Sequence, residues 1–255
     1  MVSAAEQLAR NINFSTFGKA KELQQRLLFT LGVLLVYRLG THIPIPGVDP
    51  EQFALAFGQA SEGILGMWNT FSGGAVERMA IFALNVMPYI SASIIMQIMA
   101  TAIPSLERLK KEGEAGRKQM NQYTRYLTVA LAVLQSFGVA VALNAVQPDG
   151  TSMAVDPGMY FMATTVITLV GGTVFLMWLG EQITARGVGN GISLIIFAGI
   201  VAELPRYIVN TFSQLRQGSM DIATLLAVIG LSLALVVFIV FIERSQRRLL
   251  IQYPK

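Results

Sequence analysis

The sequence predicts an all-α integral membrane protein with six transmembrane helices. Three observations carry that expectation. The chain is 53% hydrophobic and only 13% charged, whereas a soluble domain carries about 25% charged residues. Long apolar segments recur along it, and about 20 such residues cross a bilayer. The Lys and Arg side chains also sort to alternate loops. With the N-terminus inside, segments 1–26, 105–125, 181–190 and 243–255 hold 15 of them, while segments 44–78, 147–157 and 205–221 hold 3. That bias satisfies the positive-inside rule and explains the basic net charge without nucleic acid.

Residues 1–26 are polar and basic, and no short apolar run with a cleavage site precedes the first span, so no signal peptide is read. Phe14, Phe17 and Leu23, set among Lys19, Lys21 and Arg26, suit either a helix lying on the membrane surface or a solvated arm. The first span runs from Leu27 to Ile43. Arg38 lies towards its end and either snorkels to the interface or pairs inside the bundle. His42 comes next as an interfacial residue.

Pro44, Pro46 and Pro50 block regular structure at the start of the next segment, which is extramembrane. Ile64 to Phe71 is apolar but too short to span, and Ser72-Gly73-Gly74 permits a sharp reversal or hinge. It reads either as an interfacial helix anchored by Trp68 or as a re-entrant half-helix. Met79 to Ile103 then runs 25 residues without a charge. It contains Asn85, Pro88, Ser91, Ser93, Gln97 and Thr101 and is expected to break near Pro88. A membrane tolerates such a break where protein or water satisfies the freed backbone groups, so this second span is expected to line a passage.

Four further spans complete the chain: Tyr126–Val146, Gly158–Gly180, Gly191 to about Phe212, and Ile222–Ile242. Gln135 is the mid-span polar group of the third. Glu203, Pro205 and Arg206 weaken the fifth, where Glu203 and Arg206 are spaced to pair at i,i+3. The sixth is the most lipid-like.

Catalysis has little to work with. There is no cysteine and one histidine, no Ser/His/Asp or Cys/His set, and a single intramembrane acid. No enzyme activity, metal or cofactor is expected. Gly187-Val188-Gly189-Asn190-Gly191 has no strand before it, which fails the dinucleotide context; it reads as a tight turn between closely packed helices. The mixed-charge loop 106–118 and the basic tail 243–248 suit lipid headgroups or a large polyanionic or acidic partner. Val86 and Ile90 share one helix face, as do Ile192 and Ile196. If both faces meet one lumen they form a hydrophobic constriction; otherwise they are ordinary packing.

Five segments point further: RLGTHIPIPGVD (38–49), FSGGAVERMAIFALNVMPYISASIIMQ (71–97), KKEGEAGRKQMNQYTRY (110–126), FLMWLGEQITARGVGNGISLIIFAGIVAELP (175–205) and ERSQRRLLIQYPK (243–255). In these the chain resembles the SecY family, the channel subunits of the bacterial Sec protein translocase. The resemblance implies a ten-helix channel of two inverted five-helix halves. Residues 27–212 would be the first half, 213–242 the sixth helix and 243–255 the start of a cytosolic loop. It implies a pore ring of Val86, Ile90, Ile192 and Ile196. It also implies a plug at about 61–74, including Ile64, Leu65, Met67, Trp68, Phe71, Gly73 and Gly74. The second and third helices would form one wall of a lateral gate, with Pro88, Ser91, Gln97 and Gln135 as its polar or breaking residues. Arg244, Arg247, Arg248, Lys255, Lys110 and Lys111 would face a ribosome or the SecA ATPase. Implied partners are SecE, SecG, SecA, a ribosome with its nascent chain, signal sequences and membrane lipids, with no direct nucleotide. The implied location is the cell inner membrane, N-terminus cytosolic. Because the chain stops just inside that loop, it is expected to be a portion of a longer protein, since one repeat and one helix should not conduct alone. The rival expectations are half of a small-solute secondary transporter, which would need midplane charges, and a purely structural assembly subunit.

Overall fold

Helix α1 (Lys21–Gly40) begins before the apolar run, its first turn supported by an Arg26–Glu22 pair at 2.9 Å. This computed structural model describes residues 21–60, 63–145 and 152–245. Thr30, Val33, Tyr37 and Gly40 form the buried stripe of α1. The chain then turns through Pro44 and Pro46, but Pro50 starts a helix rather than blocking one. Helix α2 (Pro50–Ala60) opens on a proline, which has no N–H to leave unsatisfied there. The Asp49 carboxylate accepts the N–H groups of Glu51 at 2.9 Å and Gln52 at 3.3 Å, the usual work of a helix cap.

The short apolar segment is helix α3 (Ile64–Phe71). The expected single span broken at Pro88 is not found. Residues 72–86 are a chain of turns, and helix α4 (Met87–Ala102) starts at the proline instead of kinking around it. The reason is again positional: a proline in the first turn forfeits no intrahelical bond. Short backbone contacts bind these loops together. Ile45 N–H donates to Met79 O and Ile81 N–H to Ile43 O, both at 2.9 Å, while Val155 N–H donates to Gly47 O at 2.9 Å. These leave isolated bridges and no strand among the described residues.

Ile103 is extended before Pro104, the conformation favoured for a residue preceding proline. Helix α5 (Pro104–Lys111) therefore leaves α4 at 101°. Helix α6 (Glu114–Asn144) starts within the charged loop, well before Tyr126. Helices α7 (Met159–Arg186), α8 (Gly191–Arg216) and α9 (Ile222–Arg244) complete the order. Helix α8 runs on through Pro205 to Arg216, further than its weakened second half suggested.

Among the described residues, four helices (α6, α7, α8 and α9) are long and apolar enough to span alone, and the bent pair α4–α5 makes a fifth candidate. The expected sixth, α1, is present as a helix but is not among them. It carries Arg26 and Arg38 within its length. The expected count of six spans is therefore not reached among the described residues, where four or five helices qualify.

Packing relies on small residues. The buried stripe of α6 is Thr124, Thr128, Ala132, Ser136 and Ala140, every fourth residue, and α4 presents Ala92, Met96 and Ala100. α6 packs against both α4 and α7, and α1 packs against α7. Small residues let helix backbones approach where lipid offers no hydrophobic gradient. Residues up to Glu203 form one compact unit and residues from Leu204 a second. In the second, α9 buries none of its residues.

Candidate functional site

Two apolar clusters organise the first unit. One joins Val33, Tyr37, Phe82, Val86, Leu176, Leu179, Ile183 and Ile195, with Ile90, Ile192 and Ile196 packed against it. All four expected ring residues therefore meet in one place. Their positions differ. Val86 is 1% exposed, held at the N-terminus of α4, whereas Ile90, Ile192 and Ile196 are half-buried at the edge of the cluster. Phe82 stacks between Tyr37 at 6.2 Å and Phe175 at 6.1 Å, within the same region as Val86.

The turn after α3 is fastened to this cluster by polar groups. Tyr37 Oη donates to Ser72 O at 3.2 Å, Arg38 to Gly73 O at 2.6 Å, and Asn85 Nδ2 to Phe71 O at 2.7 Å. Within the turn, Asn69 Oδ1 accepts from Glu77 N–H at 2.9 Å while its amide donates to Glu77 Oε2 at 3.2 Å. Gly73 and Gly74 sit at φ of +66° and +79°, a region that L side chains avoid. Close approach reinforces that need: a methyl on Gly73 would lie 3.0 Å from Gly199 Cα. The end of α3 is thus buried, with Ser72, Gly73 and Gly74 all inside. On the helix itself Leu65 and Met67 are exposed, and Trp68 packs half-buried against the second cluster, which includes Ile45, Met79, Leu84, Leu143, Phe161 and Leu169. Beside it lies an apolar cavity of about 250 Å³ lined by Phe57, Leu65, Trp68, Met79, Val139 and Leu169. Tyr37→Phe should weaken this fastening by about 1 kcal/mol, the usual net worth of a hydrogen bond. A lower Tm of the purified full-length protein would show it.

Beneath the turn is an ionic group that sequence reading did not assemble. Glu203 is 3% exposed and lies 3.6 Å from Arg78 and 3.9 Å from Arg38. Arg38 is therefore engaged inside the bundle rather than snorkelling, since it also holds Gly73 O. Arg38 and Arg78 reach Glu203 from distant parts of the chain, which spacing along the helix could not indicate. A signal did exist: Gly191, Ile195, Gly199 and Glu203 recur every four residues, and all are buried on one face of α8. An acid on such a stripe must find a charge partner.

The expected gate residues are dispersed. Pro88 is buried at the head of α4 and Ser91 is half-buried. Gln97 is exposed and donates to Ser93 Oγ at 3.2 Å. Gln135 lies on the neighbouring α6, its side-chain oxygen buried without a hydrogen-bond partner among the described residues. Of the docking candidates, Lys110, Lys111 and Arg244 are exposed, with Lys111 paired to Glu107 at 2.6 Å. Arg247, Arg248 and Lys255 lie outside the described residues, as do residues 1–20, 61 and 62.

The glycine-rich turn 187–191 works as helix-to-helix packing. Val188 N–H donates to Thr30 Oγ1 at 3.2 Å, Gly191 N–H to Thr184 Oγ1 at 2.9 Å, and Asn190 Oδ1 caps α8 by accepting from Ile192 N–H at 3.1 Å. No group of three metal-ligating side chains occurs among the described residues.

Apolar spans, small-residue helix contacts and a buried polar turn together define a multi-pass α-helical membrane protein. The SecY family model matches residues 80–255. The chain is 54% identical to the protein translocase subunit SecY of Pseudomonas aeruginosa over 238 residues, covering 93% of the chain and 53% of that protein. It is 52% identical to that of Escherichia coli K12 over 241 residues, covering 94% and 54%. The chain belongs to the SecY family, and it spans about half the length of these relatives. Two solved structures share the fold at 18% identity. One is a protein-conducting channel, with TM-score 0.57, covering 87% of this chain and 47% of that one. The other is Sec61 in the canine ribosome–channel complex from the endoplasmic reticulum, with TM-score 0.58, covering 90% and 49%.

Proposed function

We propose that this chain is the first half, plus the next helix, of a protein-conducting channel subunit through which unfolded polypeptide crosses or enters the cytoplasmic membrane. The observation that carries the reading is the meeting of Val86, Ile90, Ile192 and Ile196 in one apolar cluster, beside a short helix whose end is fastened to it. Branched aliphatic side chains seal a narrow waist by excluding water and offer no ligand site, so the seal can yield to any sequence. Helix α3 serves as the plug, and α4 and α6 serve as one wall of the lateral gate. The matched relatives are translocase subunits and one structural neighbour is a ribosome–channel complex, which supports companion subunits in general and a ribosome as a driver; the SecA ATPase is proposed as an alternative driver and SecE and SecG as the companions. The charge bias supports a cytosolic N-terminus. The channel works without catalysis of its own. Neither the matched relatives nor the structural neighbours lend support to a solute transporter.

In the full-length protein with its partners, changing Val86, Ile90, Ile192 and Ile196 together to serine should raise resting ion conductance severalfold in planar bilayers. Crosslinkers placed at Ile90 and Ile192 should also capture a stalled secretory chain. Unchanged conductance together with no captured chain would refute the reading.

A further inference from the structure

We propose that Glu203 is the positioning residue that keeps the plug seated, by holding the Ser72–Gly74 hinge against α8 through Arg38 and Arg78. The idea rests on reading α3 as the plug. Three observations converge on it. Glu203 is a carboxylate, 3% exposed, with guanidinium groups at 3.6 and 3.9 Å. Those guanidiniums flank the hinge: Arg38 donates to Gly73 O at 2.6 Å, and a methyl on Gly74 would fall 2.6 Å from Glu203 Oε1 and 2.7 Å from Arg78. Finally, α8 carries Ile192 and Ile196 as well as Glu203, on a helix whose Gly199 touches the hinge backbone.

The physics is a balance of charge in a poorly screened place. One carboxylate between two guanidiniums is attractive at both contacts. Neutralise the carboxylate and both attractions are lost, while the two guanidiniums still repel each other beside the hinge. Such interactions strengthen as the local dielectric falls. Because Gly73 and Gly74 bring the backbone directly against this group, that repulsion acts on the hinge itself. The same arrangement couples ring to plug: a displacement of α8 that widens the ring also carries Glu203 away from its partners and frees the hinge.

The test uses the full-length channel with its partner subunits, in a cysteine-free background, reconstituted in vesicles. Spin labels at Met67 on α3 and Tyr160 on α7, both exposed, report the plug, and labels at Tyr126 and Tyr160 report the scaffold. Glu203→Gln should raise the population of displaced Met67–Tyr160 distances on the order of tenfold, within the range of typical coupling between sites. The Tyr126–Tyr160 distances should stay as they were. Glu203→Asp should restore most of the seated population, and Arg78→Gln should release part of it. An unchanged Met67–Tyr160 distribution in Glu203→Gln overturns the proposal, as does equal broadening of both label pairs, which would mark a general structural role. Deleting residues 64–71 separates the two readings: if resting conductance does not rise, α3 is no plug, whatever the distances show.

Discussion

Gly172→Ala should destabilise the protein by about 3 kcal/mol, at the upper end of ordinary overpacking costs, while Gly171→Ala should change it by less than about 0.5 kcal/mol. The two glycines are adjacent on α7 and identical as sequence. A methyl on Gly172 would collide with the carbonyl oxygen of Ile81 and stand 3.3 Å from the Phe82 ring. One on Gly171 meets nothing within 4 Å. The obstacle at Gly172 is backbone, in the turn segment that leads into α4, so no rotamer change relieves it. Moving that turn would also move Phe82, which stacks on Tyr37 and Phe175. Thermal unfolding of the two purified full-length variants decides the matter: a similar Tm for both would contradict this packing.

The second large effect belongs to Asn85. Its backbone has φ of +50°, it is 2% exposed, and its amide donates to Phe71 O at 2.7 Å. Alanine loses the bond, at about 1 kcal/mol or more where the carbonyl is left unpaired. It also keeps the Cβ in the left-handed region but lacks the local side-chain hydrogen bonding by which asparagine tolerates it, which adds a part of the roughly 1–2 kcal/mol that region costs. Asn85→Ala should therefore fall about 1–2 kcal/mol below the parent. Asn85→Gly loses the same bond but accepts the backbone, so it should lie between them. The order parent, glycine, alanine in Tm is the expected result. Glycine and alanine variants of equal stability would show that the backbone conformation carries no cost. Because this bond joins α4's entry to the end of α3, both variants should also raise resting conductance if α3 is the plug.

Much of the architecture was legible in the residues. The spans over 158–180, 191–212 and 222–242 read directly, because transfer into a membrane depends on local composition. The eight-residue helix at Ile64–Phe71 and the reversal at Ser72–Gly74 read equally well, from length and from glycine. Pro88 misled for a definable reason. A proline announces an irregularity but does not say whether the helix continues on both sides of it, and here only turns precede it. Pro50 misled in the same way, until Asp49 is seen capping α2. The resemblance placed Val86, Ile90, Ile192 and Ile196 together, and they do share a cluster. The burial of Val86 was not legible, since Tyr37, Leu176 and Ile195 join its cluster from separate parts of the chain.

By itself, then, the sequence determined the membrane class and the family, because the first depends on local composition and the second on long matched segments. Only the tertiary structure decided which of two neighbouring glycines is indispensable, that Asn85 must turn left-handed, and that Glu203 answers Arg38 and Arg78. Those are facts about groups far apart along the chain and a few ångströms apart in space. Charge pairing and steric exclusion act through space and leave little periodic trace along the chain.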